Sequence, residues 1–428
     1  MRLGGRLAAA IEVLDDIDGR YRPAADALKD WGLSHRFAGA RDRAAIGNIV
    51  YDALRHRRSA AWLLDSETSR ARAFGAFLLE GGTEAQALNA ALEGDRFAPV
   101  PLSEDELRQA AARRLADAPD AVRADCPDWC VPLFARAFGD DWVVEAAALS
   151  ERPSLDLRVN TLKADPGKVF KALRDSGAES ASIMPAGIRV PPIIGNGRHP
   201  NVQVEPAFQK GWFEIQDEGS QIVADLAIAG GAVQVLDFCA GAGGKTLALS
   251  AAMANHGQIF AHDADKARLA PIFDRLKRAG CRNVQVVSST ALPPLEGTMD
   301  LVLVDAPCTG SGTWRRRPDS KWRLADRQLE QRRSEQTAIL EDASRYVKPG
   351  GRLAYITCSL FAEENADQVS GFLKRKQDFR PVDHEALWHT RHPLHPDAAL
   401  IDRKGGVLLT PARTGTDAFF CSILERPR

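Results

Sequence analysis

With 428 residues, 45% of them hydrophobic and 26% charged, the chain is long enough for two or three domains with cores of their own, and its balance excludes a disordered protein. No apolar run approaches the roughly 20 residues that cross a bilayer, and the opening MRLGGRLAAAIEVLDDIDGRY carries charges where a signal peptide needs an apolar stretch; a cytoplasmic protein without membrane contact is expected. A net charge of −1 makes no global case for nucleic acid, and seven scattered cysteines, an odd number, point to reduced thiols rather than a disulfide framework.

The first ~120 residues read as helices, because apolar residues recur at helical spacing in Leu7, Ile11 and Leu14 and again in Ile46, Ile49, Val50 and Leu54. Near residue 150 the pattern changes: LDLRVNTLKADP and ASIMPAGIRVPPI are strand-like, with a helix around Pro166 to Ser176 between them. From residue 233 short apolar strands (VQVLDF, QIFAHD, VQVV, LVLVD, RLAYIT) alternate with helices that begin at Lys245, run through Arg268 and extend from Gln328 to Val347. Such alternation predicts a parallel sheet covered on both faces, with ligands at the carboxyl ends of its strands.

The segment VLDFCAGAGGKTLALS is a strand followed by Gly241, Gly243 and Gly244 at a helix entry, which lets backbone approach a ligand closely. A phosphate-binding P-loop is the competing reading, because GGKT and LVLVDAP resemble its two halves. It fails at one position: with Gly244 as the second glycine of GxxxxGK, the first falls on Cys239. Asp263, at the end of QIFAHD and about 20 residues past the loop, suits ribose hydroxyls and favours a nucleoside cofactor.

Cys308 follows the strand LVLVD and Cys358 ends the strand RLAYIT, so both thiols are expected at the edge of the sheet that carries the glycine loop. Taken singly, each would pass for a buried small hydrophobe. Together, DFCAGAGGKT, VDAPCTGSGTWRRRPD, KPGG and YITCSLFAEEN resemble, in order and spacing, the RNA cytosine-C5 methyltransferase family, which includes the bacterial RsmB-type rRNA enzymes. The resemblance extends to LRVNTLK, EIQDEGSQ and GTDAFFCSIL, and more loosely to a NusB-like domain in RDRAAIGNIVYDALRHRR.

This resemblance implies a helical NusB-like RNA-binding domain over 1–140 and a small α+β, RRM-like module over 141–225. A seven-stranded Rossmann-type methyltransferase domain of class I over 226–428 then has AFFCSIL as its reversed last strand. It implies S-adenosylmethionine as cofactor, held by Cys239, Ala240, Gly241, Ala242, Gly243, Gly244, Lys245, Asp263, Ser289, Thr290 and Asp305. Relatives carry an Asp for the adenine amine where this chain has Thr290, with Ser289 beside it; a hydroxyl accepts the same hydrogen bond without charge.

The resemblance makes Cys358 the nucleophile that adds to carbon 6 of the cytosine and Cys308 the group that helps expel the product, as a base toward the carbon 5 proton. A free thiol, with a pKa of about 8.5, is only a few per cent thiolate at neutral pH, and Lys245 is the cation expected to help. Asp305, if burial keeps it protonated, hydrogen-bonds N3 of the ring; otherwise it positions the cytosine or touches the cofactor amine. DNA cytosine methyltransferases use a single Pro-Cys cysteine, whereas here Pro307-Cys308 is joined by Cys358, with no Gln after Cys308 and no long recognition insert, which favours RNA.

The stretch from Trp314 to Arg333 is rich in Arg and Lys against three acids, and Arg315, Arg316, Arg317 and Lys321 are expected on the RNA backbone with Arg158 and Asn160 of LRVNTLK. Arg55, His56, Arg57 and Arg58 are a weaker second patch. His384, His389, His392 and His395 are too irregularly spaced for a metal site, and none is expected. Glu363 and Glu364 read as complements to the dipole of the helix after Cys358. The expected substrate is 16S rRNA or a partial small-subunit particle, and the expected enzyme a monomer. The rivals are a P-loop nucleotide hydrolase and a non-catalytic RNA-binding assembly factor.

Overall fold

A computed structural model describes residues 1–193, 195 and 197–428. The chain divides into two compact units: one comprises Met1–Arg152, Pro192–His199 and Trp314–Ala325, the other Pro153–Pro191, Pro200–Thr313 and Asp326–Arg428.

The first unit is helical. Helices Leu3–Arg20, Ala40–Arg55 and Ser69–Gly81 present Leu7, Leu14, Ile46, Val50, Leu54 and Phe74 to one core, the helical periodicity of the sequence made physical. Thr68 caps the third of these helices by accepting from the Ala71 amide. The unit also takes in Trp314–Ala325, a segment remote in sequence: Trp314 is buried with its ring 6.2 Å from that of Phe134.

The second unit holds two sheets. The strands are β1 (Leu155–Val159), β2 (Glu179–Ser180), β3 (Gly187–Val190), β4 (Phe213–Ile215), β5 (Gln234–Asp237), β6 (Gln258–Ala261), β7 (Val284–Val286), β8 (Met299–Asp305), β9 (Val347–Thr357), β10 (Arg380–Pro381), β11 (Leu400–Asp402), β12 (Gly406–Leu409) and β13 (Phe419–Glu425). The first four form an antiparallel sheet in the order β2-β3-β1-β4.

The remaining nine form the second sheet, in the order β11-β12-β13-β9-β8-β5-β6-β7 with β10 on β13. β7, β6, β5, β8 and β9 run parallel, and β13 is antiparallel to β9, which is the reversed strand read from AFFCSIL. The sheet therefore has nine strands rather than the expected seven. The short β10 and β11, of two and three residues, extend the sheet beyond the seven strands that the resemblance implied.

Both faces of this sheet are buried. Leu236, Val302, Val304, Leu353 and Tyr355 point to one core, while Val235, Leu301, Leu303, Ala354 and Ile356 point to the other. Each such Val or Leu contributes about 1.5–3 kcal/mol on burial, so the central strands are rigid supports for whatever stands at their ends. Among the described residues no helix is long and apolar enough to cross a membrane.

Candidate active site

β5, β8 and β9 are neighbours in the sheet and run parallel, so their carboxyl ends share one edge. β8 pairs with β9 through Asp305 and Ile356, which sets the loop after Asp305 against the loop after Thr357. The two cysteines consequently converge although 50 residues separate them: Cys308 Sγ lies 3.3 Å from Cys358 Sγ. The Cys308 thiol is pushed well above its ordinary pKa, first by its hydrogen bond with Cys358 and then by burial, and the nearby Glu364 adds to the effect. The neighbouring thiol and burial both favour the neutral form of Cys308.

The glycine loop occupies the end of β5. Gly241 and Gly243 have φ of 50° and 84°, left-handed conformations that favour glycine, and a Cβ on Gly243 would sit 2.5 Å from Ile272. The Gly241 amide donates to Asp263 Oδ2 at 2.9 Å, and the Ala242 carbonyl accepts from Arg275 at 2.8 Å. The Ala240 amide donates to the His262 carbonyl at 2.7 Å, and Cys239 beside it has its thiol raised by burial. Gly244 opens the helix Gly244–Ala252. After β7, the Ser289 hydroxyl stands 3.0 Å from His262 Nε2 and the Thr290 hydroxyl 2.8 Å from that of Ser288.

These residues fit an adenosyl group. Two left-handed glycines before a helix N-terminus leave bare backbone at the end of β5, and Asp263 places carboxylate oxygens at the end of the next strand, where ribose hydroxyls need acceptors.

Lys245 and Asp305 meet as an ion pair, with Nζ donating to Oδ2 at 2.7 Å and standing 5.0 Å from the centre of the Phe419 ring. The Lys245 ammonium is thereby paired with Asp305. The Asp305 side chain is 37% exposed, so the burial on which a protonated Asp305 depended is not found.

Sequence reasoning missed Asp237, the last residue of β5. It is wholly buried and accepts from the Thr246 hydroxyl at 2.6 Å, and its other oxygen has no partner. Burial, only partly offset by Thr246, raises its pKa to about 7. The acid in VLDF was visible but reads in sequence as an ordinary strand end. The folded protein holds this proton up to about pH 7 and the unfolded chain releases it near 3.8, so the contribution of Asp237 to stability is complete at low pH and is lost as pH rises through 7. We expect Asp237→Asn, which keeps an acceptor for Thr246, to gain on the wild type by roughly 1 kcal/mol per pH unit between about pH 4 and 7 in denaturant unfolding. A pH-independent difference contradicts this assignment.

The expected RNA contacts divide. Arg158 is buried, donates to Gln216 Oε1 at 2.6 Å and is pushed down to about 10 by burial. The Asn160 amide donates to the carbonyls of Gly211 and Ala279, both at 2.8 Å. Lys321, 1% exposed, is held by the Arg55 carbonyl and the Ser150 hydroxyl, and burial lowers its pKa to about 8. Arg315 is 2% exposed, and its carbonyl accepts from the Arg55 guanidinium. These four are therefore packing groups and offer no accessible charge to phosphate. Arg316 is half-buried and Arg317 exposed.

Of the second patch, Arg55 and His56 are taken up inside the helical unit. His56 bonds Glu80 at 2.8 Å, and its carboxylate neighbours raise its pKa to about 9 against the desolvation that opposes them. His384 bonds the Arg403 carbonyl and the Ile423 amide, and among the described residues no His, Cys, Asp or Glu cluster is placed to hold a metal. Glu364 is not a dipole complement at the surface. It is wholly buried, and its surroundings rather than the helix dipole account for it.

Comparison with known proteins agrees with this geometry. Residues 226–425 match the family described as 16S rRNA methyltransferase RsmB/F, and residues 126–192 match the ferredoxin-like domain of RsmF/B-like methyltransferases. The chain is 30% identical over 309 residues to a probable ribosomal RNA small subunit methyltransferase B of Synechocystis sp., a match that covers 70% of this chain and 66% of that protein, just under two thirds of its length. A crystal structure of PH0851 shares the fold with a TM-score of 0.70 at 24% identity, covering 99% of both chains. NSun6 from Pyrococcus horikoshii, crystallised with SFG, has a TM-score of 0.59 at 20% identity, covering 71% of this chain and 98% of that one. Methyltransferases of this kind take their methyl group from S-adenosylmethionine. The sheet, the glycine loop, the two converging thiols and the two matched segments together make this chain a member of the RsmB/F methyltransferase family.

Proposed function

We propose that the chain methylates carbon 5 of a cytosine in RNA, in 16S rRNA or a partial small-subunit particle, and acts as a monomer. The observation that carries this reading is the 3.3 Å approach of Cys308 to Cys358 at the edge where the glycine loop stands. One reactive thiol would be unremarkable; two on adjacent strand ends suit a reaction that must both form and break a carbon–sulfur bond.

Carbon 5 of cytosine is a poor nucleophile toward a sulfonium. Cys358 as thiolate adds to carbon 6, and the electron pair of the 5,6 double bond becomes available at carbon 5. S-adenosylmethionine supplies the electrophilic methyl that carbon 5 takes. Cys308 then accepts the carbon 5 proton, the double bond re-forms and the bond from carbon 6 to Cys358 breaks, which returns the thiolate. Consumption of Cys358 in the adduct removes the hydrogen bond that most raises Cys308, so the Cys308 thiol gives its proton to water and the resulting thiolate accepts the carbon 5 proton. Lys245 and Asp305, paired at the end of β8, position the ring and the cofactor amine. The cytosine reaches the thiols as a flipped or single-stranded base, the form in which RNA bases are read. The helical unit, with its resemblance to NusB, contributes RNA affinity, and Arg317 is the exposed member of its expected contacts.

The test incubates the full chain with labelled S-adenosylmethionine and either naked 16S rRNA or small-subunit particles, followed by nucleoside analysis. Label in 5-methylcytidine is expected; label in another nucleoside, or in none, sinks the reading.

A further inference from the structure

The Glu364 carboxylate touches the residue after each cysteine. Its Oε1 accepts from the Thr309 amide at 2.8 Å and from Gln336 Nε2 at 2.9 Å; its Oε2 accepts from the hydroxyls of Thr309 and Ser359. Thr309 follows Cys308 and Ser359 follows Cys358, so one side chain grips both cysteine loops. Gln336, from the helix Asp326–Ser344, also donates to the Pro307 carbonyl at 3.0 Å, which fixes the residue before Cys308. Both neighbours of that amide nitrogen are acceptors, so its orientation is set by the network.

The turn that carries Glu364 is itself tied to β9. The Tyr355 hydroxyl donates to the Glu364 carbonyl at 2.7 Å, the Thr357 hydroxyl to Asn365 Oδ1 at 2.6 Å, and the Asn365 amide to the Ser359 carbonyl at 2.9 Å. Glu364 is 0% exposed, a costly place for a carboxylate unless its oxygens are engaged, and here four donors engage them. Nothing in the fold of the sheet requires an acid there. Burying one costs free energy, and three of its four side-chain contacts fall on the two loops that hold the thiols, while the fourth, Gln336, itself holds the residue before Cys308.

We propose that Glu364 is a positioning residue, a buried clamp that holds the Cys308 loop to the Cys358 loop and sets the spacing of the two thiols. The proposal rests on the reading of both thiols as working groups, but its geometry can be tested without RNA or methyl donor. A trivalent arsenical such as phenylarsine oxide bridges two thiols that stand together, forming two arsenic–sulfur bonds and releasing water, and peptide mass spectrometry identifies the pair that is bridged. In the full-length Glu364→Ala chain, bridging of Cys308 to Cys358 is expected to slow at least tenfold. The kcat for methyl transfer falls about 100-fold with KM for RNA little changed, because displaced reacting groups lose rate rather than binding.

Glu364→Gln recovers most of both: its carbonyl oxygen still accepts from Thr309 and Gln336, and its amide donates to the hydroxyl oxygens. If Glu364→Ala does not fold, the double variant Thr309→Val, Ser359→Ala removes the two hydroxyl grips and is expected to slow bridging severalfold. A folded Glu364→Ala chain that bridges at the wild-type rate overturns the clamp, and so does wild-type bridging speed in the double variant. A wild-type chain that bridges but never methylates RNA overturns the functional reading instead, while slowed bridging in Glu364→Ala still supports the clamp.

Discussion

The Cys358→Ala chain will bind S-adenosylhomocysteine and RNA as the wild type does and transfer no methyl, with kcat down by about 10⁴-fold or more. The size of the effect follows from the chemistry. Without a bond at carbon 6 the pyrimidine stays aromatic and carbon 5 cannot attack, and the other thiol, Cys308, stands on the loop after β8 and not at the place from which Cys358 reaches carbon 6. Fold and cofactor affinity survive, because Cys358 stands beyond the end of β9 and half-buried, while the core contacts of that strand come from Leu353, Ala354, Tyr355 and Ile356. Methyl transfer retained in this variant removes Cys358 as the nucleophile.

Cys308→Ala is expected to fail later and visibly. Addition of Cys358 to carbon 6 and methylation of carbon 5 proceed, but the carbon 5 proton has no base, and the carbon–sulfur bond persists. The enzyme accumulates as a covalent complex with RNA that survives denaturant and migrates as a retarded band, and steady-state turnover falls by about 10²- to 10⁴-fold, the range for loss of a general base. A chain that turns over normally, or one that is inactive without any retarded band, contradicts the division of labour between the two thiols.

Much of this site was legible in sequence for a definite reason. The groups that matter stand at the ends of β5, β6, β8 and β9, and those strands announce themselves as apolar runs such as LVLVD and RLAYIT. A parallel sheet then brings strand ends together whatever their separation in the chain, which is why Cys308 and Cys358 could be paired before any coordinates. What stayed hidden depended on burial. Lys321 and Arg315 sit in a basic stretch that looks like a phosphate contact, yet Trp314–Ala325 folds into the helical unit and carries both inside.

Arg158 and Asn160 were misjudged for the same cause: a buried polar side chain on or just after a short strand is indistinguishable in sequence from an exposed one, and here both satisfy internal carbonyl acceptors. Glu364 shows the converse. An acid at the start of a helix has an adequate local explanation in the dipole, and only the tertiary structure reveals that its partners are Thr309, Ser359 and Gln336. β10 and β11 escaped notice because RP and LID, each with a charged residue, offer no apolar run such as the VQVV that contains β7.

The covalent complex formed by Cys308→Ala also identifies the residue that forms it. Nuclease and protease digestion followed by mass spectrometry is predicted to find a methylated cytidine attached to the sulfur of Cys358, in the peptide that contains YITCSLFAEEN. Attachment to any other cysteine, or a nucleotide bound without the added methyl group, would contradict the assignment of Cys358 to bond formation and Cys308 to release.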